Sequence, residues 1–102
     1  MKISNVRSSR KGFHVIETNR HSQSATMTLK SGESSSETPN RHPRSDQTLL
    51  LLSGRLDGKI GRRKLRLKKG DFVTIPAATP HRFTNPGPQR AVTLNVYSPP
   101  AY

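Results

Sequence analysis

GDFVTIPAATPHRFTN, residues 70–85, sets a glycine, two prolines, a histidine and an asparagine between two runs of strand-forming residues. Phe72 to Ile75 reads as a strand, Pro76 to Pro80 as a turn, and His81 to Thr84 as the next strand. Pro80 has a fixed φ and no N–H, which suits the entry to a strand rather than its interior. Side chains two apart on a strand share a face, so a buried Phe83 turns His81 inward with it. A histidine aimed into an interior is either a ligand or a member of a closed polar network.

The same punctuation recurs along the chain. Phe13 and Val15 flank His14, and Ala25, Met27 and Leu29 alternate with Thr26, Thr28 and Lys30, so both runs read as half-buried strands. Ser31 to Asp46 is rich in serine and charge and reads as a loop. Thr48 to Ser53 is a short apolar run stopped by Gly54 and reads as a strand covered on both faces. Asp57, Gly58 and Gly61 read as bends. Leu65 and Leu67 alternate with Lys64, Arg66 and Lys68, and Val92, Leu94 and Val96 form a last alternating strand. No stretch has a helical period of useful length, and short strands separated by turn residues indicate an all-β sandwich or barrel.

At 102 residues the chain is read as one domain, residues 1–102, with a basic arm over 1–12. Apolar residues make up 29% of the chain, low enough to raise disorder as a rival, but their grouping into alternating runs argues against it. No apolar run approaches a membrane span or a signal peptide, so the expected location is cytoplasmic with no membrane partner. Cysteine is absent, which leaves imidazole, carboxylate and amide groups as the metal ligands available. The net charge of +12 concentrates anions around the protein without choosing among them.

The spacing Gly70, Pro76, His81, Asn85 resembles the second motif of the cupin family, with Ala78 where that motif usually has a further glycine. Counting back from Gly54 gives Gln47, His42 and Asn40 where the family's first motif carries its glutamate and two histidines, and Gly32 near its opening glycine. The likeness covers roughly residues 24–97. It implies a double-stranded β-helix, a jelly-roll-like barrel with one central pocket, commonly dimeric.

By the same resemblance His42, Gln47, His81 and Asn40 would be the metal-site residues, and Leu49, Leu51 and Phe83 would line the pocket. Amides stand where the family has a carboxylate and a third imidazole. The pocket would therefore hold Zn, Fe, Mn or Ni weakly, because neutral donors leave a dication uncompensated, or it would hold no metal and close a network among the same side chains. Period two places Leu50 and Leu52 on the opposite face from Gln47, where a second subunit or the basic arm would cover them.

The expected function is binding of a small anionic ligand, with or without metal-assisted chemistry of the oxygenase, isomerase, lyase or decarboxylase kind. The catalytic residues are not assignable from the sequence. One rival is a metal-free binding or sensing module. Another is a polyanion-binding protein using KIGRRKLRLKKG, residues 59–70, which lacks aromatics for base stacking and reads first as a solvated hairpin face with weak, salt-sensitive affinity for nucleic acid. His14 and His21 have no partner at metal spacing, Ser34 to Ser36 read as loop, and Glu33 and Glu37 lie in that loop.

Overall fold

The computed structural model describes residues 1–6, 12–36 and 40–102. Residues 7–11 of the basic arm, and Glu37, lie outside the described residues. Eight strands follow one another: β1 (Gly12–Thr18), β2 (Gln23–Leu29), β3 (Asp46–Ser53), β4 (Arg55–Ile60), β5 (Arg63–Lys68), β6 (Phe72–Ile75), β7 (His81–Thr84) and β8 (Ala91–Ser98). They pair as a five-stranded sheet in the order β1-β2-β8-β3-β6 and a three-stranded sheet in the order β5-β4-β7. All pairs are antiparallel. No helix among the described residues is long and apolar enough to cross a membrane.

The two sheets close on a core of Met27, Leu29, Leu49, Leu51, Leu56, Ile75, Phe83 and Ala91. The chain passes from one sheet to the other at Gly54, between β3 and β4. Its φ is +81°, and a Cβ there would lie 2.5 Å from the Arg90 carbonyl oxygen, so this corner admits no side chain. Asp57 and Gly58, expected as bends, instead lie within β4. The missing side chain at Gly58 gives Phe83 its space, since a Cβ would come within 2.7 Å of that ring.

Two further expectations change on contact with the fold. Phe13 and Val15 are 40% and 44% exposed, because β1 is an edge strand with a partner on one side only. In β8 the apolar residues Val92, Leu94 and Val96 are half-buried on the outer face, while Ala91, Thr93, Asn95 and Tyr97 are the buried, inward set.

The Ser31–Asp46 loop is stitched along β7. Ser35 N–H donates to the Phe83 carbonyl, Asn85 N–H to the Glu33 carbonyl, and Asn40 and His81 exchange both backbone hydrogen bonds at 2.8 Å. Ser34 and Thr84 hydroxyls meet at 2.7 Å, and Ser35 Oγ accepts from Phe83 N–H. Asn85 is fully buried, donates to the Leu29 and Gln89 carbonyls and accepts from Gly87 N–H, so this motif residue secures the turn after β7.

Ala78 adopts φ +65° in the turn between β6 and β7, the left-handed conformation that an alanine holds at a cost. Replacing it with glycine is expected to stabilise the protein by about 0.5–1 kcal/mol, whereas Gly54→Ala should destabilise it by at least about 1–2 kcal/mol. Urea unfolding of the two variants measures both signs.

Candidate functional site

The turn from Pro76 to Pro80 sets the site's geometry. Ala78 N–H donates to the His42 carbonyl at 2.8 Å, which ties the loop before β3 to the turn before β7. The Asn40–His81 bridge adds a second tie two residues earlier. Two imidazoles from distant parts of the sequence thus meet, with ring centroids 5.3 Å apart.

His81 is buried, and its Nδ1 lies 3.0 Å from the Thr79 carbonyl oxygen. A carbonyl only accepts, so Nδ1 carries the proton and the neutral ring keeps its lone pair on Nε2. Desolvation holds the pKa of both rings below the ordinary 6.5. At His42 the neighbouring charge of His81 lowers it further and Gln47 opposes; at His81 the Thr79 carbonyl opposes. Both are therefore uncharged donors at neutral pH.

Gln47 enters from β3, opposite Tyr97 of β8. Its orientation is fixed by a chain of amides: Asn95 Nδ2 donates to Thr93 Oγ1 at 3.1 Å, and Gln47 Nε2 donates to Asn95 Oδ1 at 3.1 Å. The remaining atom, Gln47 Oε1, is buried without a hydrogen-bond partner of normal geometry, although it lies close enough to His42 to favour that ring's protonated form. A buried acceptor left open costs about 1–3 kcal/mol.

Aromatic rings close the other side. His42 packs edge-on against Tyr97 at 4.9 Å and Tyr102 at 5.3 Å, and Tyr102 also meets Phe13 at 4.7 Å. Burial pushes the pKa of both phenols up, strongly at Tyr97, whose hydroxyl donates to Tyr102; that contact opposes the rise at Tyr102. Tyr102 is held by Gln23: the Gln23 Oε1 accepts from the N–H groups of Ala101 and Tyr102, and its Nε2 donates to the Tyr102 carbonyl.

These side chains enclose a cavity of about 270 Å³. Asn40, His42, Gln47, His81 and Phe83 all line it, with Asn40 exposed at its edge. Leu49 and Leu51 lie in the fully buried core and are not on its wall. Tyr97, Tyr102 and Asn95 join the wall without having been singled out in the sequence. Their signal was the polar phase of β8, Thr93, Asn95 and Tyr97, which runs inward. His14 and His21 are exposed and away from the cavity.

No lysine or arginine stands among the described lining residues, and the one carboxylate is Glu33, whose Oε1 accepts from Lys30 N–H. Among the described residues no three His, Cys, Asp or Glu side chains cluster as a metal site. The donors present are two neutral imidazoles and one amide oxygen, a set that fits a late first-row divalent ion and leaves its charge uncompensated.

The Cupin domain family model matches residues 25–97. Among solved structures, the chain is similar to BH2720 from Bacillus halodurans, with a TM-score of 0.87, 25% identity, and coverage of 95% of this chain and 76% of that one. TT1209 from Thermus thermophilus matches with a TM-score of 0.84 at 20% identity, covering 97% of this chain and 98% of that one. The Schizosaccharomyces pombe Cnp3 cupin domain matches with a TM-score of 0.85 at 11% identity, covering 94% and 68%. No curated protein matches the sequence.

The lowered imidazole pKa values fix a pH dependence. As pH falls, the unfolded chain, titrating near 6.5, takes up protons before the folded one, so this contribution to stability is complete above that value and declines below it. Urea midpoints should change little in this respect from pH 8 to 7 and drop from pH 6.5 to 5. The His42→Gln/His81→Gln double variant should show a shallower acid loss.

Proposed function

The chain belongs to the cupin family, and on that premise we propose that its cavity binds a divalent metal and a small anion together. The observation that carries this reading is Gln47 Oε1, a buried acceptor beside two uncharged imidazoles, on an amide whose nitrogen donates to Asn95. His42, His81 and Gln47 are the residues that would hold the ion. Asn40, at the edge of the cavity, would orient the anion.

Charge balance links the two ligands. Three neutral donors leave a dication with its full charge in a site of low effective dielectric, which favours a carboxylate or similar anion as a further ligand. The anion in turn finds no lysine or arginine on the described wall, so it depends on the ion for its counter-charge. Each ligand should tighten the other by the same factor, as linkage requires. When bound, the ion supplies Lewis acidity toward a carbonyl or carboxylate oxygen. The Tyr97 phenol stays protonated on the cavity wall. His81 is held in one tautomer by Thr79.

Calorimetric titration with Ni²⁺, with and without glycolate, tests the reading. Glycolate is expected to strengthen Ni²⁺ binding at least fivefold, a coupling of about 1 kcal/mol. Gln47→Glu should bind Ni²⁺ about tenfold more tightly and lose most of the glycolate effect, because the charge is then built in. Absence of Ni²⁺ binding in both proteins would overturn the proposal and leave a metal-free binding module.

We further propose that a second copy covers the outer face of the five-stranded sheet. Leu50 stands opposite Leu94 and Phe72, Leu94 opposite Thr26, and Val96 opposite Thr48, and Phe72 is 70% exposed. The outward positions of residues 24–28, 48–52 and 92–96 carry no charge, so two chains of net charge +12 meet there with the least repulsion. Light scattering should give twice the chain mass for the wild type and a single-chain mass for Leu50→Glu/Leu94→Glu. A single-chain mass for the wild type at about 100 μM, a concentration far above the Kd of a standard-size interface, would refute it.

A further inference from the structure

The outer face of the three-stranded sheet differs from the other outer face in kind. The β4–β5 register sets Asp57 opposite Arg66 and Lys59 opposite Lys64, and the β4–β7 register sets Asp57 opposite Thr84 and Lys59 opposite Arg82. Partners directly opposite share a face. Lys59, Lys64, Arg66 and Arg82 therefore stand together, with Lys68 two residues beyond Arg66 on the same side. The apolar residues Leu56, Ile60, Leu65 and Leu67 belong to the inward phase, in the core or packed against it.

A depression of about 730 Å³ runs among Lys59, Lys64, Arg66, Arg82 and Thr84. Among the described residues its one ion pair is Arg66 Nε to Asp57 Oδ1 at 3.7 Å. Arg82 Nε donates to the Ser36 carbonyl, which holds its guanidinium in place before any ligand arrives. We propose that this face docks the sugar-phosphate backbone of a duplex nucleic acid without reading its sequence.

Three features select that partner. Side chains two apart on a strand are about 6.6 Å apart and neighbouring strands about 4.8 Å, so these cations fall within an area some 13 Å long and 10 Å wide that has Asp57 among them. The phosphates of one strand rise about 3.4 Å each along the axis while winding around it, so a flat area of this size meets about two or three of them. No aromatic side chain lies on the face, which removes the stacking platform a single strand would use. Among the described residues the one apolar residue lining the depression is Leu65, half-buried and in the inward phase, so an anionic bilayer would find little to insert.

The test is fluorescence anisotropy of a labelled duplex DNA of about 20 base pairs, titrated with the whole chain between about 25 and 200 mM KCl. The expected slope of log affinity against log salt is about −2 to −3, from the two or three phosphates neutralised. Lys59→Glu/Lys64→Glu/Arg66→Glu should reduce affinity at least tenfold at low salt and flatten the slope by about one for each phosphate no longer neutralised. Arg20→Glu/Lys30→Glu/Arg41→Glu changes the net charge equally at exposed positions off this face and should cost less than about threefold, since distant charges are screened. His81→Ala should change nothing, which separates this surface from the cavity.

Circular dichroism confirms that each variant is folded. Equal losses in the two triple variants would mean that net charge alone binds the duplex, and the proposal fails. It fails equally if the duplex is not bound at the lowest salt, or if phosphatidylserine vesicles bind through Lys59, Lys64 and Arg66 while the duplex does not.

Discussion

Two backbone ties hold the chemistry of this protein together: the reciprocal hydrogen bonds between Asn40 and His81, and the bond from Ala78 N–H to the His42 carbonyl. Side chains in the Ser31–Asp46 loop have no strand of their own to fix them. Pairing with β7 supplies that order and gives the loop's polar backbone groups their partners. Without it, His42 would be one rotamer-rich side chain on a solvated segment. With it, the two imidazoles sit 5.3 Å apart at a stated orientation. The left-handed strain at Ala78 belongs to the same turn, so the site is held by a local conformation that costs free energy and by hydrogen bonds that offset it.

Apart from the exposed Glu33 carboxylate, the cavity wall is polar yet uncharged among the described residues, and this follows from how each group is held. Burial keeps both imidazoles neutral and both phenols protonated, while amides and hydroxyls supply most of the remaining polar lining. A neutral polar cavity is cheap to bury when its members satisfy one another. Here Gln23, Asn95 and Asn85 are bonded, whereas Gln47 Oε1 is not. Turning the Gln47 amide alone would set its oxygen against Asn95 Oδ1, so the two amides turn only together, with the Thr93 hydroxyl able to donate or accept at the end of the chain.

The sequence carried the frame of the fold at residues whose geometry has few substitutes. Gly54 tolerates no Cβ, and Asn85 bonds three backbone groups that no other side chain at that position would reach together. His42, Gln47 and His81 were legible by spacing from such points. Tyr97, Tyr102 and Asn95 were not, because alternation identifies two faces of a strand but not which one is interior. In β8 the more apolar set, Val92, Leu94 and Val96, faces outward. Asp57 and Gly58 misled for a related reason: glycine marks a bend in isolation, but at Gly58 it answers to the Phe83 ring of the neighbouring strand β7, distant in sequence. Long-range packing of this kind leaves no local trace.

The distribution of charge ties the outer surface to the interior. Net charge of +12 is spread over a molecule of about 36 × 30 × 23 Å, yet the described wall of the cavity contains none of the cations. At physiological ionic strength fields between exposed charges decay over about 8 Å, which isolates one side of the surface from the other. Inside the barrel the screening ions are excluded, so the same cations act on the cavity through a low-dielectric medium. Their sum disfavours a bare dication there and favours an anion. A metal entering this barrel therefore meets opposition from the whole chain as well as from its neutral donors. An anion bound beside the metal would relieve both at once.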